Sequence, residues 1–297
     1  MLEKVCVVLA SYNGQKYIRE QLDSIAAQEG VEVSLLVRDD GSRDATQEIL
    51  EQYQNTGALR WYTGAHLNVA QGFLELLRNA PEADYYAFCD QDDVWMPDKL
   101  AAAVAMLKKE NPALPVMYYC ATTLVDEKLD FIMEHPVHEN RTDLARFVMN
   151  DMSGNTIVMN GKLKEALCAA EKPDISIHDK WCLQVCLALG GKCIGDPKSH
   201  ILYRQHGKNT IGMELSFGDK VRKFFRVIDT PHDKNMDALR VHYENALVSP
   251  YKELVLLADG KRLPWHERRK LAGDKRLCFD NRFFDLAWKI RVLRGIL

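Results

Sequence analysis

Residues 87–95 have the sequence Ala-Phe-Cys-Asp-Gln-Asp-Asp-Val-Trp, which places three carboxylates within four residues directly after an apolar run. Residues 84–89 predict a short buried strand, and Pro97 predicts the first turn of a helix over 98–110. The acidic residues therefore follow the carboxyl end of a strand. In open α/β sheets, ligands bind at that edge.

The three carboxylates allow two interpretations. Neighbouring carboxylates repel one another, and a hard divalent cation that prefers oxygen ligands would relieve that repulsion. Alternatively, the segment is an acidic turn that caps the following helix, since short Asp-x-Asp patterns are frequent by chance. The rest of the chain has to decide between them.

The first 110 residues alternate between patterns typical of strands and of helices. Apolar runs predict strands over 5–10, 33–37, 59–62 and 84–89, and helical spacing predicts helices over 17–28, 45–53 and 68–79. Such alternation predicts an α/β fold with parallel strands and right-handed crossovers. We expect a Rossmann-like, mostly parallel central sheet flanked by helices.

Polar side chains follow three of these predicted strands: Tyr12 after the first, Asp39 and Asp40 after the second, and the acidic stretch after the fourth. Because the ends of parallel strands meet at one edge, these groups should converge. A nucleoside diphosphate suits this set of groups. The aromatic ring and the carboxylates, which accept hydrogen bonds, can contact the base or the ribose, and the metal cluster can bind the phosphates. The chain has no GxxxxGK[ST] motif, and no GxGxxG follows the first strand, which argues against P-loop and dinucleotide-binding proteins.

Three ordered motifs resemble the family 2 glycosyltransferases of the GT-A fold: Val-Val-Leu-Ala-Ser-Tyr-Asn-Gly at 7–14, Arg-Asp-Asp-Gly-Ser-Arg-Asp at 38–44 and Cys-Asp-Gln-Asp-Asp-Val-Trp at 89–95. The resemblance spans residues 4–212 and is strongest to bacterial rhamnosyltransferases. It implies a metal-dependent, inverting enzyme of cell-surface polysaccharide synthesis. The implied donor is a nucleotide-diphosphate sugar (a dTDP- or UDP-sugar), the cofactor Mn²⁺ or Mg²⁺, and the acceptor a glycan or lipid-linked hydroxyl.

The resemblance also implies roles for individual residues. It gives nucleotide contacts to Ala10, Tyr12, Asp39, Asp40 and Asp90, and metal contacts to Asp90, Asp92 and His206. Asp93 is either a further ligand or a support for the ligands, and Trp95 is a neighbouring candidate.

The second half of the chain adds candidates near the sugar and acceptor. After a break at 112–115, strands are predicted over 116–120 and 153–160, with a loop or small hairpin over 126–141. Gly154 and Asn155 flank the site by resemblance, or they form an ordinary turn into the strand.

Asp179 opens a predicted amphipathic helix that runs to Leu189. As a helix cap it would contribute about 1 kcal/mol. By resemblance, His-Asp followed closely by Trp marks the catalytic base, with Lys180 intervening here, and we favour that role for Asp179. His178 either orients the base or lies on the surface.

Residues 201–209 have the sequence Ile-Leu-Tyr-Arg-Gln-His-Gly-Lys-Asn and close the resembling region. Related enzymes have a similar stretch, which implies metal or phosphate binding by His206 and diphosphate contact by Arg204. We therefore expect a GT-A domain over 1–212, with a nucleotide-sugar half (1–115) and an acceptor half (116–212), and a helical, basic C-terminal region over 213–297.

A net charge of −3 argues against nucleic acid as a partner, but the charge is unevenly distributed. Residues 261–297 contain 11 Lys and Arg against 4 Asp and Glu. Aromatic, aliphatic and basic residues at helical spacing over 221–228 and 281–294 predict helices. Such helices either lie on an anionic membrane surface or pack on protein.

The eight cysteines are dispersed without a CxxC pair, which predicts buried, reduced thiols. No apolar run approaches the roughly 18 residues of a membrane span. We expect a cytoplasmic protein that contacts the inner face of the membrane at most peripherally.

A noncatalytic nucleotide-sugar-binding subunit of a polysaccharide assembly complex is the alternative function. A nucleotidyltransferase is a weaker one, because no Gly-rich, Lys-bearing stretch follows the first strand.

Overall fold

A central sheet of nine strands carries the fold in the computed structural model, which describes residues 1–65, 67–138, 140–150, 152–206, 233–258, 264–279 and 282–295. The strands are β1 (Lys4–Ser11), β2 (Glu32–Asp39), β3 (Arg60–Thr63), β4 (Tyr85–Cys89), β5 (Val94–Trp95), β6 (Val116–Val125), β7 (Phe131–His135), β8 (Val158–Asn160) and β9 (Lys192–Arg204). Their order is β3-β2-β1-β4-β8-β6-β9-β5, and β7 pairs with β6.

Eleven helices are described, seven before residue 190 and four in the C-terminal region. They are α1 (Ile18–Ala26), α2 (Thr46–Asn55), α3 (Val69–Asn79), α4 (Lys99–Leu107), α5 (Asp143–Val148), α6 (Gly161–Ala169), α7 (His178–Ala188), α8 (Lys234–Tyr243), α9 (Tyr251–Leu257), α10 (Trp265–Ala272) and α11 (Arg282–Leu293).

The first half of the sheet is parallel, as the alternating pattern predicts. β1 pairs in parallel with β2 and β4, and β2 pairs in parallel with β3. Every residue from Val5 to Leu9 is fully buried, because helices cover both faces of β1. Val5, Val7 and Leu9 face a core shared with α1, α2 and α4, whereas Cys6 and Val8 face the core under α3, α6 and α7.

The second half mixes strand directions. β8 runs antiparallel to β4 and β6, β5 runs antiparallel to β9, and β6 and β9 are parallel. Within 126–141, where the sequence predicts a loop or small hairpin, the structure has β7, which pairs antiparallel with β6, the strand before it.

The strand predicted over 153–160 is wrong in its first half. Gly154–Thr156 form a short 3-10 turn, in which Thr156 donates to the Ser153 carbonyl and Ile157 to the Gly154 carbonyl, and only Val158–Asn160 form a strand. The turn buries Asn155 and lets its side chain reach the acidic segment.

The described C-terminal helices pack on the part of the chain between residues 116 and 206. Tyr243 donates its hydroxyl hydrogen bond to the Ala166 carbonyl (2.6 Å), and Arg141 donates to the Phe279 carbonyl (2.9 Å). Leu239, Trp288 and several neighbours share the core under α7. The helix predicted over 221–228 lies outside the described residues. Within the described residues, no helix has the length and apolar character needed to span a bilayer.

Candidate active site

Three strand ends meet at one edge of the parallel half of the sheet. The β1–β2 register places Ser11 beside Asp39, and the β1–β4 register places Leu9 beside Cys89. The segments that follow, beginning at Tyr12, Asp40 and Asp90, therefore leave the sheet together. This is the convergence that the strand pattern predicts.

Gln91 joins two of these segments. Its side-chain oxygen accepts from the Tyr12 backbone N–H (2.9 Å), and its amide donates to the Tyr12 carbonyl (3.1 Å). Gly14 packs on it so closely that a β-carbon there would lie 2.2 Å from Oε1 of Gln91. Tyr12 remains 47% exposed, and Ala10 is half-buried. Sequence reasoning passed over Gln91, although its place among the acids was a signal.

Asp39 is fully buried, and the protein itself engages both of its carboxylate oxygens. They accept from Ser11 Oγ, the backbone N–H of Gly41 and Ser42, Ser42 Oγ and Gln47 Nε2, at 2.5–3.1 Å. The carboxylate therefore builds the turn that follows β2.

Asp40 pairs with Arg38, whose guanidinium is fully buried. That guanidinium also pairs with Glu75 (3.1 Å) and donates to the Ala65 carbonyl. Asp40, which follows the end of β2 at the site, thus neutralises part of the charge of the buried Arg38 guanidinium.

Asp90 and Asp92 form the negative centre of the site. Burial, followed by the charges of Asp92 and Asp179, raises the pKa of Asp90 to about 7. The Asp92 carboxylate lies 2.8 Å from Nε2 of His206, whose ring stacks on Tyr17. The Asp92 carboxylate and the His206 imidazole thus meet, and Asp90 lies close enough for the Asp92 charge to raise its pKa.

Asp93 is fully buried. Its carboxylate accepts from Asn155 Nδ2 (2.5 Å) and from the Arg204 backbone N–H (3.1 Å), and burial raises its pKa well above the usual range. Beneath it, Lys99 places its ammonium 3.5 Å from the centre of the Trp95 ring, and burial lowers its pKa to about 8. Asp93 and Asn155 thus join the acidic loop to the 3-10 turn, and Trp95 packs in the core beside Lys99.

Arg204 uses its guanidinium within the protein. It donates to the carbonyls of Asp92 (2.9 Å) and Glu127 (2.6 Å) and pairs with Glu20 (2.5 Å), and its side chain is almost fully buried. The implied contact with a diphosphate would require it to leave these partners. In this arrangement Arg204 fixes the acidic loop to the end of β9.

Asp179 lies at the start of α7 and is only 4% exposed. Burial raises its pKa to about 6, opposed by a hydrogen bond from the Lys180 backbone N–H and another with Asn150. Since its charge acts on Asp90, the two carboxylates share one site although 89 residues separate them. A buried carboxylate with a pKa near neutrality is suited to accept a proton.

His178 is neither a surface residue nor a hydrogen-bonded partner of Asp179. Its ring stacks on Phe73 at 4.0 Å and meets Phe88 edge-on, and neither ring nitrogen has a hydrogen-bond partner among the described residues. Burial lowers its pKa to about 3, so the ring is neutral and apolar in function. Gly154 packs against it, since a β-carbon there would lie 2.6 Å from Nε2 of His178.

Asp90, Asp92 and His206 carry the kinds of side chain that bind a divalent cation, with the remaining ligands supplied by the substrate. Within the described ranges, no three His, Cys, Asp or Glu side chains form a preassembled metal site. Asp92 and His206 do meet, however, and Asp90 is an adjacent, desolvated carboxylate without a donor among its described neighbours. Mg²⁺ sites typically use one or two carboxylates plus substrate phosphates and water, and carboxylate ligands also suit Mn²⁺.

Residues 6–162 match the family model described as "Glycosyl transferase family 2", which is more than half of the chain. The chain belongs to glycosyl transferase family 2. It is therefore a glycosyltransferase. The matched span contains Tyr12, the acidic segment and Asn155 but ends before Asp179 and His206, so the fold alone brings those two residues to the site.

Named relatives agree with this assignment. The dTDP-rhamnosyl transferase RfbG of Shigella flexneri is 29% identical over 240 residues, which are 72% of this chain and 77% of RfbG. The crystal structure of residues 1–349 of TarS from S. aureus superposes with a TM-score of 0.59 at 16% identity, covering 98% of this chain and 89% of that one. The mannosyltransferase PcManGT of Pyrobaculum calidifontis, in complex with GDP-Man and Mn²⁺, gives 0.51 at 17% identity over 99% and 86%. This family 2 glycosyltransferase thus has the GT-A fold.

Proposed function

We propose that the protein is a metal-dependent, inverting glycosyltransferase that moves a sugar from a nucleotide-diphosphate donor to a hydroxyl of a glycan or lipid-linked acceptor in cell-surface polysaccharide synthesis. The observation that carries this proposal is that the charge of Asp179 acts on Asp90, two residues before Asp92, which in turn meets His206. The RfbG relative supports dTDP-rhamnose as donor. The UDP-GlcNAc complex of TarS, which superposes with a TM-score of 0.58, makes a UDP-sugar the competing donor.

The position of each side chain supports its proposed role. Tyr12 stacks on the base, with the half-buried Ala10 and Asp40 on neighbouring strand ends and Asp39 fixing the turn after β2. Asp90, Asp92 and His206 would hold the cation with the donor diphosphate. A bound Mn²⁺ or Mg²⁺ supplies positive charge that stabilises the departing diphosphate.

Asp179 accepts the proton of the acceptor hydroxyl as its oxygen attacks the anomeric carbon. The new glycosidic bond forms on the face opposite to the breaking bond between that carbon and the phosphate oxygen. The nucleoside diphosphate leaves with the electron pair of the broken bond. One displacement of this kind inverts the anomeric configuration.

Release of nucleoside diphosphate tests the proposal, with a donor panel of dTDP-rhamnose and UDP-sugars, Mn²⁺ and a glycan or lipid-linked acceptor. Asp179→Asn should lower kcat by about 10²- to 10⁴-fold, as expected for loss of a general base, and should retain nucleotide binding. The exposed Asp174→Asn is the matched control and should keep wild-type turnover. Near-normal turnover by Asp179→Asn would reject the base, and a product with retained configuration would reject the single displacement.

We also propose a peripheral membrane contact through α11. One face of this helix, with Ala287, Trp288 and Val292, packs on the protein, and another leaves Phe283 (50%) and Leu286 (51%) exposed. Arg282 and Lys289 are exposed beside these two apolar side chains. An exposed apolar stripe with flanking positive charge suits an anionic lipid surface.

Co-sedimentation with vesicles tests this contact. Wild type should bind vesicles of phosphatidylglycerol and phosphatidylethanolamine more strongly than vesicles of phosphatidylcholine alone, and Phe283→Ser/Leu286→Ser should lose that binding while keeping turnover on a water-soluble acceptor. Equal binding of wild type and variant would reject the contact. Loss of a dimer in the variant by light scattering, without any lipid binding by wild type, would assign the stripe to a second copy.

A further inference from the structure

The start of α7 is linked to the C-terminal helices by a buried polar network. Lys180, the residue after Asp179, places its ammonium 2.7 Å from the Asp233 carboxylate. Gln184 Nε2 also donates to Asp233 (3.1 Å), and Asn235 Nδ2 donates to Gln184 Oε1 (2.8 Å). Gln184 and Asn235 are fully buried, so the network fixes where the Lys180 side chain lies.

The network is also electrostatically balanced. Burial alone would raise the pKa of Asp233, but the charge and hydrogen bond of Lys180 and the donors on Gln184 and Asn235 outweigh it and lower the pKa. Arg291 on α11 lies close enough for the Asp233 charge to oppose the lowering of its pKa by burial. Asp233 is therefore ionised and neutralises Lys180 beside the catalytic base.

We propose that Asp233 is a positioning residue for sugar transfer: it holds the Lys180 ammonium away from the Asp179 carboxylate and so preserves the strength of the base. The proposal rests on the role of Asp179 in the proposed function. Lys180 has a long flexible stem and its charge already lowers the pKa of Asp179, so without Asp233 the ammonium is free to move toward that carboxylate. A lysine paired with Asp179 would engage the oxygen that takes the proton and would make the carboxylate a weaker base.

The charges around Asp179 define the expected signs. Asp90 faces it from the acidic loop, neutral His178 and the Cys182 thiol lie on its own helix, and Asn150 hydrogen-bonds to it. The charge of Lys180 lowers the pKa of Asp179, and the ion pair of Lys180 with Asp233 limits that effect. Removing Asp233 leaves an unbalanced positive charge, which lowers the pKa of Asp179, whereas removing Lys180 leaves an unbalanced negative charge, which raises it.

Opposed shifts therefore test the inference. The measurement is the pH dependence of kcat in full-length protein with saturating Mn²⁺ and donor. Asp233→Asn should move its acid limb to a pH lower by about 0.5 to 1 unit, and Lys180→Gln should move that limb to a higher pH by a similar amount. The double variant should return close to the wild-type limb. The matched control is the exposed pair Lys192–Glu110, also 2.7 Å long, where Lys192→Gln should leave the limb in place.

A merely structural role would give a different result. It would lower the thermal midpoint and kcat in all the network variants without moving the limb in opposite directions, and that outcome would overturn the inference. The pKa of Asp179 should also be followed by carbon-detected NMR, with its signal assigned by its loss in Asp179→Asn. Opposed shifts in the NMR titration with an active Asp179→Asn enzyme would reject the base but keep the charge network. Unshifted NMR titrations with an inactive Asp179→Asn enzyme would reject only the role of Asp233.

Discussion

Gly154→Ala should damage both stability and turnover, because the added β-carbon would lie 2.6 Å from Nε2 of His178. An ordinary contact needs about 3.5 Å, so the ring or the turn must move by about 0.9 Å. The ring has little freedom, since Phe73 stacks on one face at 4.0 Å and Phe88 meets it edge-on at 5.0 Å. The strain therefore passes to the start of α7 and to Asp179, whose own β-carbon would be 3.5 Å from the new one.

Overpacking of this kind costs about 1–3 kcal/mol of unfolding free energy, and a displacement of about 1 Å in a catalytic group can cost about 10²-fold in rate. Urea unfolding and nucleotide release measure the two effects. Gly161→Ala is the matched control, because no atom of the described part of the chain lies within 4 Å of its added β-carbon at the start of α6, and it should be neutral or slightly stabilising. If Gly154→Ala behaved like Gly161→Ala in both assays, the packing of His178 would not position the base.

Three further predictions concern the acids and the buried arginine. With saturating Mn²⁺, kcat should fall about tenfold per unit below pH 6, because burial raises the pKa of Asp179 to about 6 and a base acts only when deprotonated; a flat profile between about pH 5 and 7 would contradict this. Asp92→Asn should weaken Mn²⁺-dependent nucleotide binding by about tenfold or more in calorimetry, and an unchanged metal dependence would reject its ligand role. Arg38→Met should cost about 3–5 kcal/mol in urea unfolding, because it leaves two carboxylates without their buried partner, whereas exposed Arg60→Met should cost little.

The sequence predicted the fold well where the pattern was local. Runs of β-branched residues placed β1 and β2 nearly to their ends, and the order of strands and helices predicted the parallel half of the sheet. The predictions of side-chain environment were weaker. Asp93 and Asn155 are 62 residues apart, and no periodicity in either segment indicates that they hydrogen-bond.

The same limit explains why His178 and Arg204 were hard to interpret. A histidine beside the base suggests an orienting hydrogen bond, but its ring lies between two phenylalanines from α3 and β4, which only tertiary packing brings there. An arginine beside the implied ligand histidine suggests phosphate binding, yet Asp92, Glu127 and Glu20, which its guanidinium contacts, come from three separate segments of the chain. The residue type limits which interactions a side chain can make. The neighbouring side chains in the folded protein determine which of those interactions it does make.

The acidic loop lies in the first half of the chain and is anchored from the second half, by Asn155 and by the backbone and side chain of Arg204. The two halves are therefore not interchangeable modules. A chimera that takes residues 1–115 from one relative and the remainder from another would combine a loop and anchors that were not selected together. Donor specificity should transfer between relatives only when Asp93 and its two anchors are exchanged as one unit.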